Sequence, residues 1–240
     1  MNDMADRVVP HEIAGALDAV RLRIDAACER AARAPREVRL VVVTKEVPPE
    51  RVREAIDAGA TDLGENRAQE LVAKMTELEE LEPQPRWHFI GTLQRNKVRD
   101  VAGRVALIHS VDSIALGRAV AARAAASNSA QDVLLEVNVS GELSKHGLTP
   151  GATAEALQVL SSETALTIKG LMTIAPIGSK AVARAAFQVL RELRDELRTT
   201  LSGATLDELS MGMTSDFEEA IEEGATIVRI GTAIFGRRKR

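Results

Sequence analysis

The chain contains no tyrosine. Its 240 residues include four phenylalanines, one tryptophan and one cysteine, and aromatics make up only 2%. Without tyrosine, no mechanism that relies on a phenolic acid or base is open to it. So few rings also argue against base-stacking platforms for nucleic acid. A lone Cys28 forms no internal disulfide, and its place in a helical pattern makes it a core thiol. Charge of one sign is missing too: 31 Lys and Arg against 35 Asp and Glu leave a net −4. Neither nucleic acid nor an anionic membrane is therefore an expected partner. No apolar run approaches the ~18 residues of a spanning helix. The opening MNDMADRVVPHEI lacks the basic and then apolar regions of a secretion signal. These absences point to a cytoplasmic protein. A nucleophile elbow and a P-loop are absent as well; GTAIFG at 231–236 lacks the P-loop lysine.

What is present is an alternation. Residues 11–33 place Ile13, Leu17, Val20, Ile24 and Ala27 on one helical stripe, with Pro35 as a stop. The run Leu40 to Val43 is short, β-branched and apolar throughout, as in a strand covered on both faces. Helical patterns at 49–58, 66–81, 94–103, 113–126, 151–162, 180–201 and 215–224 then alternate with strand candidates. Those strands fall at 60–64, 86–91, 105–110, 132–139, 167–173, 205–212 and 226–231. Eight βα units fit an α/β fold of the (β/α)8 TIM-barrel type, with an open doubly wound sheet as the alternative. No Pro-, Gly- or Ser-rich linker divides the chain. The expectation is one barrel domain over 1–240 with an N-terminal helix at about 10–34.

In such barrels the site lies at the C-terminal ends of the strands. There the sequence places Lys45, Glu65 with Asn66, His88 with Gly91, His109 with Ser110, Asn138 with Ser140, Met172 with Thr173, Ser210 to Thr214, and Arg229 with Gly231 and Thr232. The last two units offer small residues and helix starts whose N–H groups suit a phosphate, unless Gly212 and Gly231 are turn glycines only. Lys45 either snorkels to water from a strand end or forms a Schiff base with an aldehyde. A phosphorylated aldehyde cofactor is pyridoxal 5′-phosphate (PLP). Arg229 near its ring nitrogen would disfavour protonation there. His88 and His109 have no third ligand at a metal-like spacing, so no metal site is expected. Lys145 and His146, in the polar loop 144–150, either reach an anionic substrate or are solvated. The basic tail 237–240 reads as a solvated end.

In order along the chain, LVVVTKEVP (40–48), GENRAQE (64–70), WHFIGTLQRNK (87–97), HSVDS (109–113), EVNVSGELSKHGL (136–148), GLMTI (170–174), LSMGMTSDFEEAI (209–221) and VRIGTAIFG (228–236) carry a resemblance. The sequence resembles the PLP homeostasis protein family, the YggS/PROSC-like PLP-binding proteins, from about Val38 to Arg237. The resemblance implies a barrel like the alanine racemase N-terminal domain, PLP fold type III. It implies that Lys45 holds PLP as an internal aldimine and that Arg229 lies near the pyridine nitrogen. It assigns Ser210, Gly231 and Thr232 to the phosphate, with Met211, Gly212 and Met213 lining that loop. Asn66, Met172 and His88 fall around the ring.

The implied function is intracellular PLP homeostasis without robust turnover; the racemases use a tyrosine from a second domain, and this chain has neither. PLP-dependent apoenzymes and small amino acids are the implied partners, and with no second domain over the mouth a monomer is expected. A weak PLP-dependent racemase or lyase on small amino acids is the alternative. A phosphate-ligand barrel without PLP is the third reading. Glu46, Val47, Arg67 and Thr92 depart from the family pattern.

Overall fold

Strands that are apolar on both faces need cover on both faces, and the chain supplies it by following each with a helix. The computed structural model describes residues 12–142, 146–201 and 205–237. The first units run β1 (Arg39–Val43), α2 (Pro49–Asp57), β2 (Asp62–Glu65), α3 (Ala68–Glu77), β3 (Arg86–Phe89) and α4 (Val98–Val101), all preceded by α1 (Ile13–Arg30). Then come β4 (Leu107–Val111), α5 (Ile114–Ala126), β5 (Gln131–Glu136), α6 (Pro150–Leu160), β6 (Leu166–Met172) and α7 (Lys180–Thr200). The chain closes with β7 (Glu208–Ser210), α8 (Phe217–Glu222), β8 (Ile227–Ile230) and the single turn α9 (Thr232–Phe235). The eight strands form one closed barrel in sequence order. Closure comes from parallel pairing of β1 with β8, where Val41 lies opposite Arg229. The closed (β/α)8 architecture is thus the expected one, and the open sheet is excluded.

Most of the core lies between the strands and the helices, with Leu63, Phe89, Ile108, Leu135, Leu171 and Phe187 all within 1% of full burial. A smaller cluster of Val41, Leu107, Leu134, Met172 and Ile227 fills the barrel interior. Helix α1 lies outside the βα repeat. Its stripe of Ile13, Leu17, Val20, Ile24 and Ala27 is buried as its spacing requires, against α8, α9 and α2. It therefore covers the seam between the last unit and the first. Two of the chain's arginines pin the seam's edges. Arg21 donates to the carbonyls of Ala58 and Gly59 just past α2 (3.1 and 2.6 Å). Arg33, just beyond α1, donates to those of Ile221 and Ala225 at the end of α8 (2.9 and 2.8 Å). Both satisfy carbonyls that a helix end leaves open.

Some boundaries differ from the sequence expectation. Helix α1 ends at Arg30, and the left-handed Ala32 (φ 52°) turns the chain before Pro35 is reached. Pro35 instead opens a 3-10 turn. The strand expected over 205–212 shrinks to three residues, because the left-handed Leu206 (φ 42°) precedes it and Gly212 at φ 92° bends the backbone away after it. A Cβ on Gly212 would lie 2.6 Å from that of Ala220, so this tight turn against α8 needs glycine. The helix over 94–103 divides into a 3-10 turn at Arg95–Lys97 and α4. Cys28 is fully buried. Residues 10–11 of the expected first helix, Lys145 and residues 238–240 of the basic tail lie outside the described residues. Among the described residues no helix is long and apolar enough to cross a membrane.

The seam helix carries a stability prediction. Leu17 has no exposed surface. Leu17→Ala is expected to lower unfolding free energy by about 2–5 kcal/mol through a cavity under α1, read by urea denaturation.

Candidate functional site at the barrel mouth

Alternate residues of each strand face the barrel axis, and the inward set forms layers. At the N-terminal end Arg39 approaches Asp62 (3.8 Å) and Glu208 (3.4 Å), while Arg86 approaches Asp62 (3.7 Å). The apolar cluster lies above, sharing its level with His88 and His109, both fully buried. The top layer opens into a cavity of about 530 Å³.

Lys45 lines that cavity from a tight turn directly after β1. The Val47 N–H donates to the Thr44 carbonyl at 3.0 Å, and Glu46 takes φ 59° at the second central position. A left-handed glutamate is uncommon and needs external support. Three charged residues supply it. Lys74 Nζ, on a side chain 5% exposed, donates to the Thr44 carbonyl (2.5 Å), Glu65 Oε1 (2.7 Å) and Glu70 Oε1 (2.7 Å). The Thr44 hydroxyl donates to Glu65 Oε1 at 2.6 Å, and the Glu46 N–H donates to Glu70. One buried ammonium thus ties both sides of the lysine turn to β2 and α3. Burial raises the Glu65 pKa, against the hydrogen bonds from Lys74 and Thr44. At the rim, Glu46 and Arg67, two of the departures from the family pattern, approach within 3.6 Å of each other. Both side chains are about half exposed or more, so that pair contributes little.

Of the residues expected in the site, Lys45, Asn66, Met213, Arg229, Gly231 and Thr232 line the cavity together. His88, Met172, Ser210, Met211 and Gly212 do not. Met172 belongs to the interior apolar cluster and Met211 to the outer core. Gly212 accepts the Arg229 N–H on its carbonyl (3.0 Å). Ser210 accepts from Arg229 Nη1 at 2.6 Å and stands 2.8 Å from His109 Nδ1. His88 bridges His109 and Asp62 (3.0 and 2.9 Å). The histidines read as two strand-end groups are in fact one bonded pair. Thr92 and Val47, the remaining departures, are also on the cavity wall.

Several features of the wall suit a phosphorylated aldehyde. Asn66 Oδ1 is buried with no hydrogen-bond partner among the described residues. The close fit of Gly91 holds it there, since a Cβ on Gly91 would lie 2.2 Å from the Asn66 carbonyl oxygen. The first-turn N–H groups of α9, at Thr232 and Ala233, have no backbone acceptor among the described residues. Arg229 Nη2 donates to the Thr173 carbonyl (3.0 Å). Burial lowers the Arg229 pKa to about 10, which leaves it charged at neutral pH.

Glu136, at the end of β5, is a wall residue that the motif reading did not single out. Burial and then the Asp112 charge raise its pKa to about 6, against the pull of His146 and Arg229. His146 itself lies 3.9 Å from Asp112. The sequence offered one signal for its direction, the alternation that puts Glu136 in phase with the interior Leu134, and none for its burial.

Comparison with known proteins follows the same line. The family described as alanine racemase, N-terminal domain, matches residues 16–239. A pyridoxal phosphate homeostasis protein of Aquifex aeolicus is 47% identical over 224 residues, covering 93% of this chain and 97% of that protein. An unknown protein from Bifidobacterium adolescentis shares the fold at TM-score 0.88 and 40% identity, over 98% of each chain. PipY of Synechococcus elongatus PCC7942, in its structure with PLP bound, matches at TM-score 0.83 and 37% identity, over 93% of this chain and 100% of PipY.

Two outcomes are expected from the site's charges. Lys74→Met strands two acidic groups under the lysine turn and is expected to cost about 3–5 kcal/mol in chemical denaturation. Glu136 has a folded pKa of about 6 against an ordinary 4.5, so the folded state holds its proton longer. Its contribution to stability is greatest below the ordinary value and falls as pH rises through the folded one. Glu136→Gln cannot ionise, so it is expected to match the parent at low pH and to exceed its stability at pH 7.5 by up to about 2 kcal/mol.

Proposed function

This chain belongs to the pyridoxal phosphate homeostasis proteins of the alanine racemase N-terminal domain family, and from that premise we propose that it carries PLP on Lys45 and acts in intracellular PLP homeostasis. When bound, PLP supplies an aldehyde that joins the Lys45 amine as a Schiff base and a phosphate that anchors it. The observation that carries the reading is one cavity lined by Lys45, the unpartnered Asn66 Oδ1, Arg229 and the turns after β7 and β8. Thr232 and Ala233 offer backbone N–H groups to the phosphate. With PLP in the cavity, Arg229, charged at neutral pH, would face the ring nitrogen and disfavour its protonation, which would weaken the ring as an electron sink. Gly212 and Ser210 act from behind the wall, by holding Arg229. His88 and Met172 support the floor in the same indirect way. The cytoplasm is the compartment that fits a handler of a metabolic cofactor, and PLP-dependent apoenzymes are the recipients that fit a carrier.

A second reading has one observation in its favour. Glu136 is a carboxyl on the cavity wall with a pKa of about 6, the range of a general acid or base. It would let a small amino acid exchange its α-proton, giving weak racemase or lyase turnover.

The test is the absorption spectrum of the purified protein with PLP, before and after borohydride, followed by peptide mass mapping. A visible band that reduction converts to a pyridoxyl group on Lys45 is expected, and Lys45→Ala is expected to lose the band. A full band in Lys45→Ala would sink the assignment. Steady turnover of a small amino acid that Glu136→Gln removes would favour the enzyme reading.

A further inference from the structure

The hydrogen bonds inside the barrel determine where each proton lies. Asp62 is an acceptor: burial raises its pKa, but hydrogen bonds from His88 and Thr61 outweigh this and leave it lowered. The His88 Nε2, 2.9 Å away, must therefore carry hydrogen. Burial of the His88 ring lowers its pKa and favours the neutral form, and since Arg229 donates to Ser210 at the far end of the same series of bonds, the bare nitrogen of His88 is Nδ1. That nitrogen lies 3.0 Å from His109 Nε2, which must then be the donor. His109 is also wholly buried, its pKa lowered well below the usual value by burial, and then by His88, Arg229 and Arg39. Its Nδ1 is thus bare and accepts from the Ser210 hydroxyl at 2.8 Å. The Ser210 oxygen accepts in turn from Arg229 Nη1, a group that can only donate. The reverse direction would face a bare His88 nitrogen against the Asp62 carboxylate and leave the Ser210 proton without a place.

We propose that Asp62, His88 and His109 are positioning residues which, through Ser210, set the Arg229 guanidinium under the cavity by a one-way hydrogen-bond chain. The chain runs from the C-terminal mouth to the N-terminal end of the barrel, where Asp62 also meets Arg39 and Arg86. Its two ends are a cation and an anion, and every dipole between them points the same way. Glu136 and Asp216 are the acidic groups that bear on Arg229 from β5 and the turn after β7. The Ser210 hydroxyl proton is committed to His109. The ligand side of this inference rests on the PLP reading above; the direction of the chain does not.

Histidine nitrogen NMR of the unliganded protein, from pH 5.5 to 8.5, reads the direction. Both His88 and His109 are expected as neutral Nε2–H tautomers throughout. An imidazolium or an Nδ1–H tautomer at either ring would overturn the chain. The same spectra decide this whether or not the cavity takes PLP. The positioning role is read at Asp62. Asp62→Asn keeps an acceptor oxygen for His88, and Asp62→Ala does not. In protein that melts normally, Asp62→Ala is expected to shift the Arg229 side-chain resonances and to release PLP about tenfold faster, with Asp62→Asn close to the parent. Equal behaviour of the two variants, in resonances or in release, would refute the positioning role.

Discussion

A buried ammonium holds the Lys45 turn of this molecule in place. Lys74 donates three times, to a backbone carbonyl beside Lys45 and to two carboxylates on the adjoining strand and helix. A charge taken out of water needs such complete pairing. The geometry that satisfies it leaves little freedom to the turn between Thr44 and Val47. The uncommon backbone of Glu46 follows, because its N–H is claimed by Glu70. From that turn the rest of the mouth can be placed: Asn66 emerges one residue after Glu65, and Gly91 packs against its backbone.

The same logic extends through the barrel. A parallel sheet covered by helices has an apolar outer face, and here its inner face is half polar. Most polar groups described there are paired across strands: Arg39 with Asp62 and Glu208, His88 with His109, Ser210 with Arg229. The apolar cluster around Val41 and Met172 fills the space that these pairs leave. Rigidity of Arg229 is the return, since two of its nitrogens are engaged before any ligand arrives.

The periodic features were legible in the sequence. The stripe on α1 and the β-branched runs report burial residue by residue, and eight such units favour a closed barrel over an open sheet. Strand ends were less legible: Met211 is as buried as a strand residue, yet the turn at Gly212 has already begun. The cavity residues Lys45, Asn66, Arg229, Gly231 and Thr232 could be found because each sits at or just after a strand's C-terminal end. Cross-strand partners could not. Asp62, His88, His109 and Ser210 come from four strands, and nothing local says that they meet. Glu70 and Lys74, four residues apart, look like an exposed helical pair. Only the approach of α3 to the β1 turn makes them interior. Glu136 gives no local sign of its burial.

The pairing of β1 with β8 has a consequence for how the protein is made. Lys45 leaves the ribosome well before Gly231 and Thr232, and α1 waits for α8 and α9 before its apolar stripe is covered. A partly synthesised chain therefore has Lys45 without the opposite wall of its cavity, and a helix α1 with no surface to rest on. Domains fold as units once their distant contacts can form. A chain that stopped before β8 would therefore leave both the barrel and the cavity at its mouth unfinished.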